Sequence, residues 1–290
     1  MRYKRRRFWI LKQKHIRIIL ISVCAVILLA VLYVILSSAG KKAETSDSVN
    51  AVLSKGIINI GLRSDLGPLS SFNEQTSEFE GYEKDIADEI VNRVFKDDII
   101  VNFVEVTSKT KNAMLRRSDI DIALTASAAT NISGVNYTSS YYSDASAILV
   151  INDTLGSVLD IDGGTVAIVY GTPQAQETEG ITKVEEYFNT LNVNVQIKIY
   201  ASYPEAVAAL RNGFADGVCA GENMLKLFGI RGMKILPEFF MPNQYSVEVT
   251  ENLGAFYRAV NDAINAMKTD GTLDELMVKW KLTNYALIEN

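Results

Sequence analysis

The chain has 290 residues, 48% of them hydrophobic, which is enough apolar material for one large or two ordinary domains. The net charge of −5 is unevenly distributed along the chain. Eight of the 29 Lys and Arg residues lie in residues 1–17, which contain no acid. The remaining residues therefore contain 21 basic and 34 acidic side chains. That acidic remainder argues against a nucleic-acid partner, which needs clustered cations. The single histidine, His15, lies in the basic head, so the rest of the chain has no His-based triad and no His/Cys zinc cluster.

The two cysteines give no further chemistry. Cys24 lies in an apolar run and Cys219 far away, so we expect no internal disulfide. Cys219 could be a lone nucleophile, but the segment DGVCAG is typical of a buried strand, where a free cysteine packs as a small hydrophobe. We therefore expect no catalytic residue, no metal and no cofactor.

An apolar segment follows the basic head. Ile18 to Leu36 are 19 residues without a charge, and at 1.5 Å per residue they approach the ~30 Å of a bilayer core. The positive-inside rule predicts a cytoplasmic head at 1–17, a transmembrane anchor at 18–37 and an extracellular remainder. A cleaved signal peptide is the alternative, because small residues follow at 37–39, but the run exceeds the roughly 7–15 residues of a signal peptide.

Residues 38–50 are small and polar, which predicts a short flexible linker. Helical and alternating apolar patterns then follow one another along the chain. They predict strands at 56–65, 99–106, 119–126, 164–172, 195–201 and 215–221, and helices at 80–95, 111–117, 173–191 and 203–213. Two final helices are expected between 252 and 280, split at Asp270-Gly271. The alternation of strand and helix predicts a parallel sheet covered by helices.

Six sequence blocks in order extend from about Lys55 to Leu282. They are FEGYEKDIADEI, AMLRRSDIDIAL, NYTSSYYSDASAILV, GTVAIVYGT, AVAALRNGFADGV and AVNDAINAMKTDGTLDELMVKW. Through them the chain resembles the bacterial solute-binding proteins that serve amino-acid ABC importers. The resemblance implies an α/β, two-lobed type II periplasmic-binding fold, with lobe 1 at 51–147 and 246–290 and lobe 2 at 148–245. It also implies a ligand between the lobes, closure on binding, and partner permease and ATPase subunits, since the chain itself has no phosphate-binding loop.

The resemblance also implies four ligand anchors, which can be checked one by one. Relatives that bind amino acids use an Arg on the carboxylate, an Asp on the ammonium, a stacking aromatic and a Gly-Thr turn. In this chain the Arg position falls on Asn131, the Asp on Gly221 beside Glu222, and the aromatic on Ser108. Of the four anchors, only the Gly-Thr turn is present, at Gly171-Thr172. Thr172 is also expected to cap a helix.

A remodelled ligand site is therefore expected. Between Ser118 and Thr182 there are eight acids and no Lys or Arg, which favours a neutral or cationic ligand over an ordinary α-amino acid. Arg63 is expected to be solvated, and Phe72, although a candidate contact, is more typical of the core than of a ligand site. The candidate ligand contacts are Asp65, Leu69, Phe72, Ser127, Asn131, Tyr141, Thr172 and Glu222.

Three functions are compatible with these observations. The first is a membrane-anchored receptor for an ABC importer with an atypical ligand. The second is a sensory or scaffold module that has lost small-molecule binding and contacts a protein. The third is an enzyme, because dehydratases of prephenate-like acids resemble the same fold; their carboxylate substrates need cationic clamps that this stretch does not supply, so we expect no enzyme.

Overall fold

The computed structural model describes residues 2–96, 99–151, 155–175, 177–178, 180–228 and 232–282, with side chains described from Val26 onward in the first helix. The chain divides into two compact units, residues 1–47 and 48–290. The helices are α1 Arg2–Lys55, α2 Tyr82–Phe95, α3 Lys111–Arg117, α4 Lys183–Thr190, α5 Tyr203–Arg211, α6 Glu222–Phe228, α7 Phe256–Asp270 and α8 Thr272–Lys279. The strands are β1 Ile57–Leu62, β2 Ser71–Asn73, β3 Glu78–Glu80, β4 Ile100–Glu105, β5 Ile122–Leu124, β6 Val135–Val150, β7 Thr165–Val169, β8 Glu177–Thr178, β9 Ile181–Thr182, β10 Gln196–Tyr200, β11 Gly217–Gly221, β12 Lys234–Ile235 and β13 Phe240–Thr250.

Helix α1 contains the apolar run. Among the described residues it provides one helix, Val26–Lys55, that is long and apolar enough to cross a membrane, with a mean hydropathy of 1.7 and no burial within the structure. A signal sequence near an N-terminus meets the same criteria. Residues 38–50 are helical, which differs from the expected flexible linker. Ala, Lys and Glu in this stretch favour helix, and Ser38 satisfies its hydroxyl by donating to the Val34 carbonyl oxygen at 2.8 Å.

The sheet consists of two parallel groups joined by two long strands. Its order is β10-β7-β11-β6-β13-β5-β1-β4, with β12 paired to β6. Strand β1 is parallel to β4 and β5, and β7 is parallel to β10 and β11. The long strands β6 and β13 pair antiparallel to each other; β6 also pairs with β11, and β13 with β5. The predicted parallel strand pairing is therefore present in two groups, β4-β1-β5 and β10-β7-β11.

Apolar stripes hold the helices against this sheet. In α2, Ile86 and Ile90 are fully buried at a four-residue spacing, and in α7 Phe256, Val260 and Ile264 repeat the same pattern. Gly271, at φ 85°, ends α7 and allows α8 to begin, as the Asp270-Gly271 pair predicts. The predicted helices at 80–95, 111–117 and 203–213 are likewise present.

The predicted helix at 173–191 is wrong in its first half and present in its second. Pro173–Ala175 form a single 3-10 turn, a two-stranded hairpin of β8 and β9 follows, and α4 begins only at Lys183. Gly180 adopts φ 81° between the hairpin strands, a left-handed conformation that interrupts a helix. The helix cap lies at Thr182, whose hydroxyl accepts from the Glu185 backbone N–H at 3.2 Å.

Candidate functional site

Loops from the carboxyl ends of the parallel strands meet at one place, where open α/β sheets bind their ligands. Arg63 follows β1, Ser108 follows β4, Ser127 follows β5, and Gly171-Thr172 follow β7. Between the loops lies a cavity of about 230 Å³, smaller than the roughly 300 Å³ at which drug-sized pockets begin. It is lined by Ser108, Lys111, Asn112, Ser127, Ala128, Thr130, Ile132, Tyr170, Gly171, Thr172, Pro173, Ala175 and Glu248.

The two strand groups touch at two glycines. Gly171 has φ 73°, and a Cβ there would lie 2.4 Å from Ser108 Cβ. Gly67 has φ 55°, and a Cβ there would lie 2.2 Å from Leu227 Cδ1. Both positions favour glycine for conformation, and Gly171 also for space, because Ser108 Cβ cannot move as the exposed Leu227 side chain can.

A buried ion pair lines the cavity. Lys111, at the first position of α3, donates from Nζ to Glu248 Oε1 and, at 2.9 Å, to Ser127 Oγ. The other Glu248 oxygen accepts from Thr125 Oγ1 at 3.0 Å. Lys111 is 5% exposed and Glu248 is fully buried, so the pair is largely shielded from bulk solvent and is neutral as a whole. Next to it, Asn112 Oδ1 is buried and accepts no hydrogen bond.

Arg63 does not lie in solvent, so the expected surface role is wrong. It is 5% exposed and forms two parallel hydrogen bonds to Asp65, at 2.8 and 2.7 Å, and a third to Ser108 Oγ at 2.8 Å. Burial by itself would lower the Arg63 pKa, but the Asp65 carboxylate more than offsets it and the pKa is raised. Asp65 thus satisfies the guanidinium.

Glu83 is a fully buried acid near this pair. Its Oε1 accepts from the Tyr141 hydroxyl and, at 2.6 Å, from the Ala126 backbone N–H, whereas Oε2 is buried without a hydrogen bond. Burial raises the pKa of Glu83 to about 7, although these hydrogen bonds and the Arg63 charge act in the opposite direction.

Asp144, on β6, is also fully buried. It accepts from the Ala145 backbone N–H at 2.9 Å and from Asn223 Nδ2 at 3.4 Å, and burial raises its pKa to about 7. A Cβ at Gly221 would lie 2.1 Å from Asp144 Oδ2. The Asp144 carboxylate therefore occupies the space that a side chain at position 221 would need.

Of the eight predicted contacts, Ser127 and Thr172 line the cavity together. Thr172 does not cap an α-helix, because none begins there; its hydroxyl donates to the Val169 carbonyl oxygen at 2.7 Å. Asp65 and Tyr141 instead bind the buried groups Arg63 and Glu83.

The other four lie outside the cavity. Leu69 is fully buried in the apolar core, and Phe72 is 42% exposed and packs edge-on against Phe79. Asn131 is exposed, and Glu222 pairs with Lys226 at 2.7 Å. Ligand contact by any of the eight stays a prediction.

Sequence reasoning missed Lys111, Asn112 and Glu248. The stretch without cations begins only at Ser118, after Lys111, and this lysine enters the site from a helix that follows β4. The available signal was Glu248 itself: an acid within the apolar stretch SVEVT needs a buried partner.

Comparison with known proteins identifies the family. The model of bacterial extracellular solute-binding proteins, family 3, matches residues 58–283, and the chain belongs to this family. The ABC transporter glutamine-binding protein GlnH of Bacillus subtilis is 27% identical over 281 residues, covering 92% of this chain and 97% of the relative. The L-cystine-binding protein TcyA of the same organism is 23% identical over 245 residues, covering 82% and 86%.

Solved structures show the same fold. A mutant of the arginine-binding protein ArgBP from T. maritima has a TM-score of 0.66 at 20% identity, covering 81% of this chain and 99% of that one. The ancestral amino-acid-binding protein AncCDT-1, a precursor of cyclohexadienyl dehydratase, has a TM-score of 0.65 at 20% identity, covering 80% and 98%. The predicted two-lobed type II fold and the predicted membership among solute-binding proteins of amino-acid ABC importers are confirmed.

Proposed function

We propose that this protein captures a small solute in the cavity between its two lobes and presents it to an ABC permease. The observation that carries the proposal is the cavity of about 230 Å³, which is lined by loops of both strand groups. The lobes are proposed at 51–147 with 246–290 and at 148–245. The pairing of the long strands supports this division, because β6 pairs with β11 only from Ser146 onward and β13 pairs with β5 only at Glu248–Val249.

The proposed ligand is neutral or cationic. In the described part of the cleft the cations Arg63 and Lys111 are each paired with an acid of the chain, so neither offers a free charge to a carboxylate. Glu83 and Asp144 form no ion pair among the described residues, and burial is the main cause of their raised pKa values. An ordinary α-amino acid would therefore lack a carboxylate clamp here.

The proposed setting is the outer face of a cell membrane, with α1 as a single-pass anchor and the basic head in the cytoplasm. The apolar Val26–Lys55 helix and the Lys and Arg residues before it support this placement. Permease and ATPase subunits are the proposed partners, as the name of the GlnH relative indicates for that protein. Catalysis is not proposed; Cys219 is buried, and burial raises its thiol pKa.

A sensory or scaffold module is the second candidate. The observation that favours it is the ion pairing within the cleft. Arg63 pairs with Asp65, and Lys111 pairs with Glu248, so the charges of both cations are neutralised without a ligand. A module of this kind would keep the fold and contact a protein.

A thermal-shift screen separates the two candidates. The full-length chain in detergent would be tested against amino acids, polyamines, short peptides and sugars. A solute at about 100 times its Kd adds roughly 2.7 kcal/mol to the free energy of unfolding. The receptor function predicts such a shift with at least one neutral or cationic solute. Stabilisation by ordinary amino acids alone would contradict the atypical ligand, and no shift with any solute would contradict the receptor itself.

A further inference from the structure

A strained loop forms one wall of the cavity. The loop consists of residues 125–128, which directly follow β5, and its members Ser127 and Ala128 line the cavity. Between them and the strand, Ala126 adopts φ 51°, a left-handed backbone conformation that is unfavourable for residues other than glycine. Such a conformation persists only where the surrounding structure holds it.

The Glu83 carboxylate holds this strained residue. Its Oε1 accepts from the Ala126 backbone N–H at 2.6 Å, and the same oxygen accepts from the Tyr141 hydroxyl. Tyr141 lies on β6, one of the two long strands that join the strand groups, and its carbonyl oxygen accepts from the Tyr82 hydroxyl at 3.0 Å. Glu83 and Tyr82 begin α2, so a single carboxylate oxygen connects the cavity wall to a helix and to a joining strand.

The second joining strand, β13, contacts the same loop. The Ser246 backbone N–H donates to the Ser127 carbonyl oxygen at 2.9 Å, and Ala128 forms an antiparallel bridge with Tyr245. These contacts fix the loop after Ala126, whereas Glu83 fixes Ala126 itself. The cavity wall is therefore attached to both strands that join the two groups.

We propose that Glu83 is a positioning residue for ligand capture, which holds Ala126 in its left-handed conformation and so keeps Ser127 and Ala128 in the wall of the cavity. The inference rests on the proposed function and adds a residue that acts on the ligand through the loop. Without the Glu83 acceptor the loop relaxes to an unstrained backbone, and a ligand has to restore the wall when it binds. The apparent Kd then rises in inverse proportion to the fraction of molecules that have the competent loop.

Isothermal titration of the full-length chain in detergent, with a solute from the screen, tests this role. Glu83→Met fills a similar space without an oxygen and should weaken binding by roughly tenfold, because a buried N–H loses its acceptor. Glu83→Gln keeps an acceptor for the Ala126 N–H and should retain most of the affinity. Ile90→Ala is the matched control, since Ile90 is fully buried on the same helix and packs only in the apolar core, so its loss lowers stability without changing affinity.

Ala126→Gly assigns the effect to the strained backbone. Glycine adopts a positive φ without strain, so Glu83→Met should cost less affinity in an Ala126→Gly background than in the wild type. Hydrogen–deuterium exchange of the ligand-free chain gives a second measure, because the amides of 126–128 should exchange faster in Glu83→Met and not in Ile90→Ala. If Glu83→Met does not fold, Tyr141→Phe takes its place; it removes only the hydroxyl that ties Glu83 to β6, and a smaller loss in the same direction is expected.

Three outcomes overturn the inference. If a solute binds the wild type and Glu83→Met binds it as tightly as Ile90→Ala does, Glu83 has no positioning role while the receptor function stands. The same holds if Glu83→Gln loses as much affinity as Glu83→Met, or if Glu83→Met costs the same with alanine and with glycine at position 126. If no solute in the screen binds the wild type at all, the receptor function fails and the positioning role with it.

Discussion

The buried carboxyl groups of Glu83 and Asp144 make the stability of the folded chain depend on pH, with or without a ligand. Burial raises the pKa of each carboxyl to about 7, from ordinary values of 4.5 and 3.8. Since the folded pKa is the higher one, the folded chain holds these protons more tightly than the unfolded chain. Their contribution to stability is therefore complete below about pH 4 and is lost as the pH rises through about 7.

We predict that the wild-type domain becomes less stable between pH 5 and pH 8, and that Glu83→Gln removes much of this loss. At about 1.36 kcal/mol per pKa unit, the Glu83 contribution is on the order of 3 kcal/mol. Denaturant unfolding at several pH values measures it. Asp270, whose hydrogen bonds to Thr272 and Arg93 lower its pKa to about 2, acts in a separate window below pH 4. Equal pH slopes in wild type and Glu83→Gln would refute the assignment.

The sequence pattern led to some site residues and not to others for a physical reason. Ser127 and Thr172 were found because each directly follows a strand that local periodicity reveals. Lys111 and Glu248 are 137 residues apart and meet only because β13 lies beside β5 in the sheet, which no local pattern contains. Asp144 and Gly221 likewise meet through the pairing of β6 with β11.

At the scale of elements, the turn at Gly171 controls how closely the two strand groups approach. We predict that Gly171→Ala weakens binding of any cleft ligand, because its Cβ would collide with Ser108 Cβ at 2.4 Å. Gly171→Ala with Ser108→Gly should restore affinity. Isothermal titration with a solute from the screen measures the effect.

Gly213→Ala is the control for backbone strain in that experiment. Gly213 has φ 71°, close to the 73° of Gly171, but a Cβ there would meet nothing within 4 Å. In both single variants the alanine has to adopt a left-handed backbone conformation, which costs about 1–2 kcal/mol. Only Gly171→Ala should also lose affinity for the ligand. Equal affinities in the two would show that closure does not depend on the Ser108 contact.

The elements themselves were predictable to different degrees. Strands and helices with a clear apolar period, such as α2 and β11, are present as predicted. The segment at 173–191 was predicted as one helix because most of its residues favour helix. Gly180 instead lies in the turn of a hairpin, which interrupts the segment. The first half of β6 is polar and has no apolar pattern that predicts a strand. It is a strand because it pairs with β13 in the middle of the sheet.

At the scale of the whole molecule, the anchor has a direct consequence. We predict that the intact chain, expressed in a Gram-positive host, stays in the membrane fraction at full length. Protease added to protoplasts should remove residues after the helix while the basic head stays protected. A shortened protein in the medium would instead indicate a cleaved signal sequence, which the apolar helix alone also permits.

Capture of a solute between the lobes is the central claim, and hydrogen–deuterium exchange of the full-length chain with and without the screened solutes tests it most directly. The account predicts that a binding solute slows exchange at 106–112, 125–130 and 170–175, the loops of both strand groups that border the cavity. Protection confined to other surfaces, or none in these three segments with any solute, would contradict it.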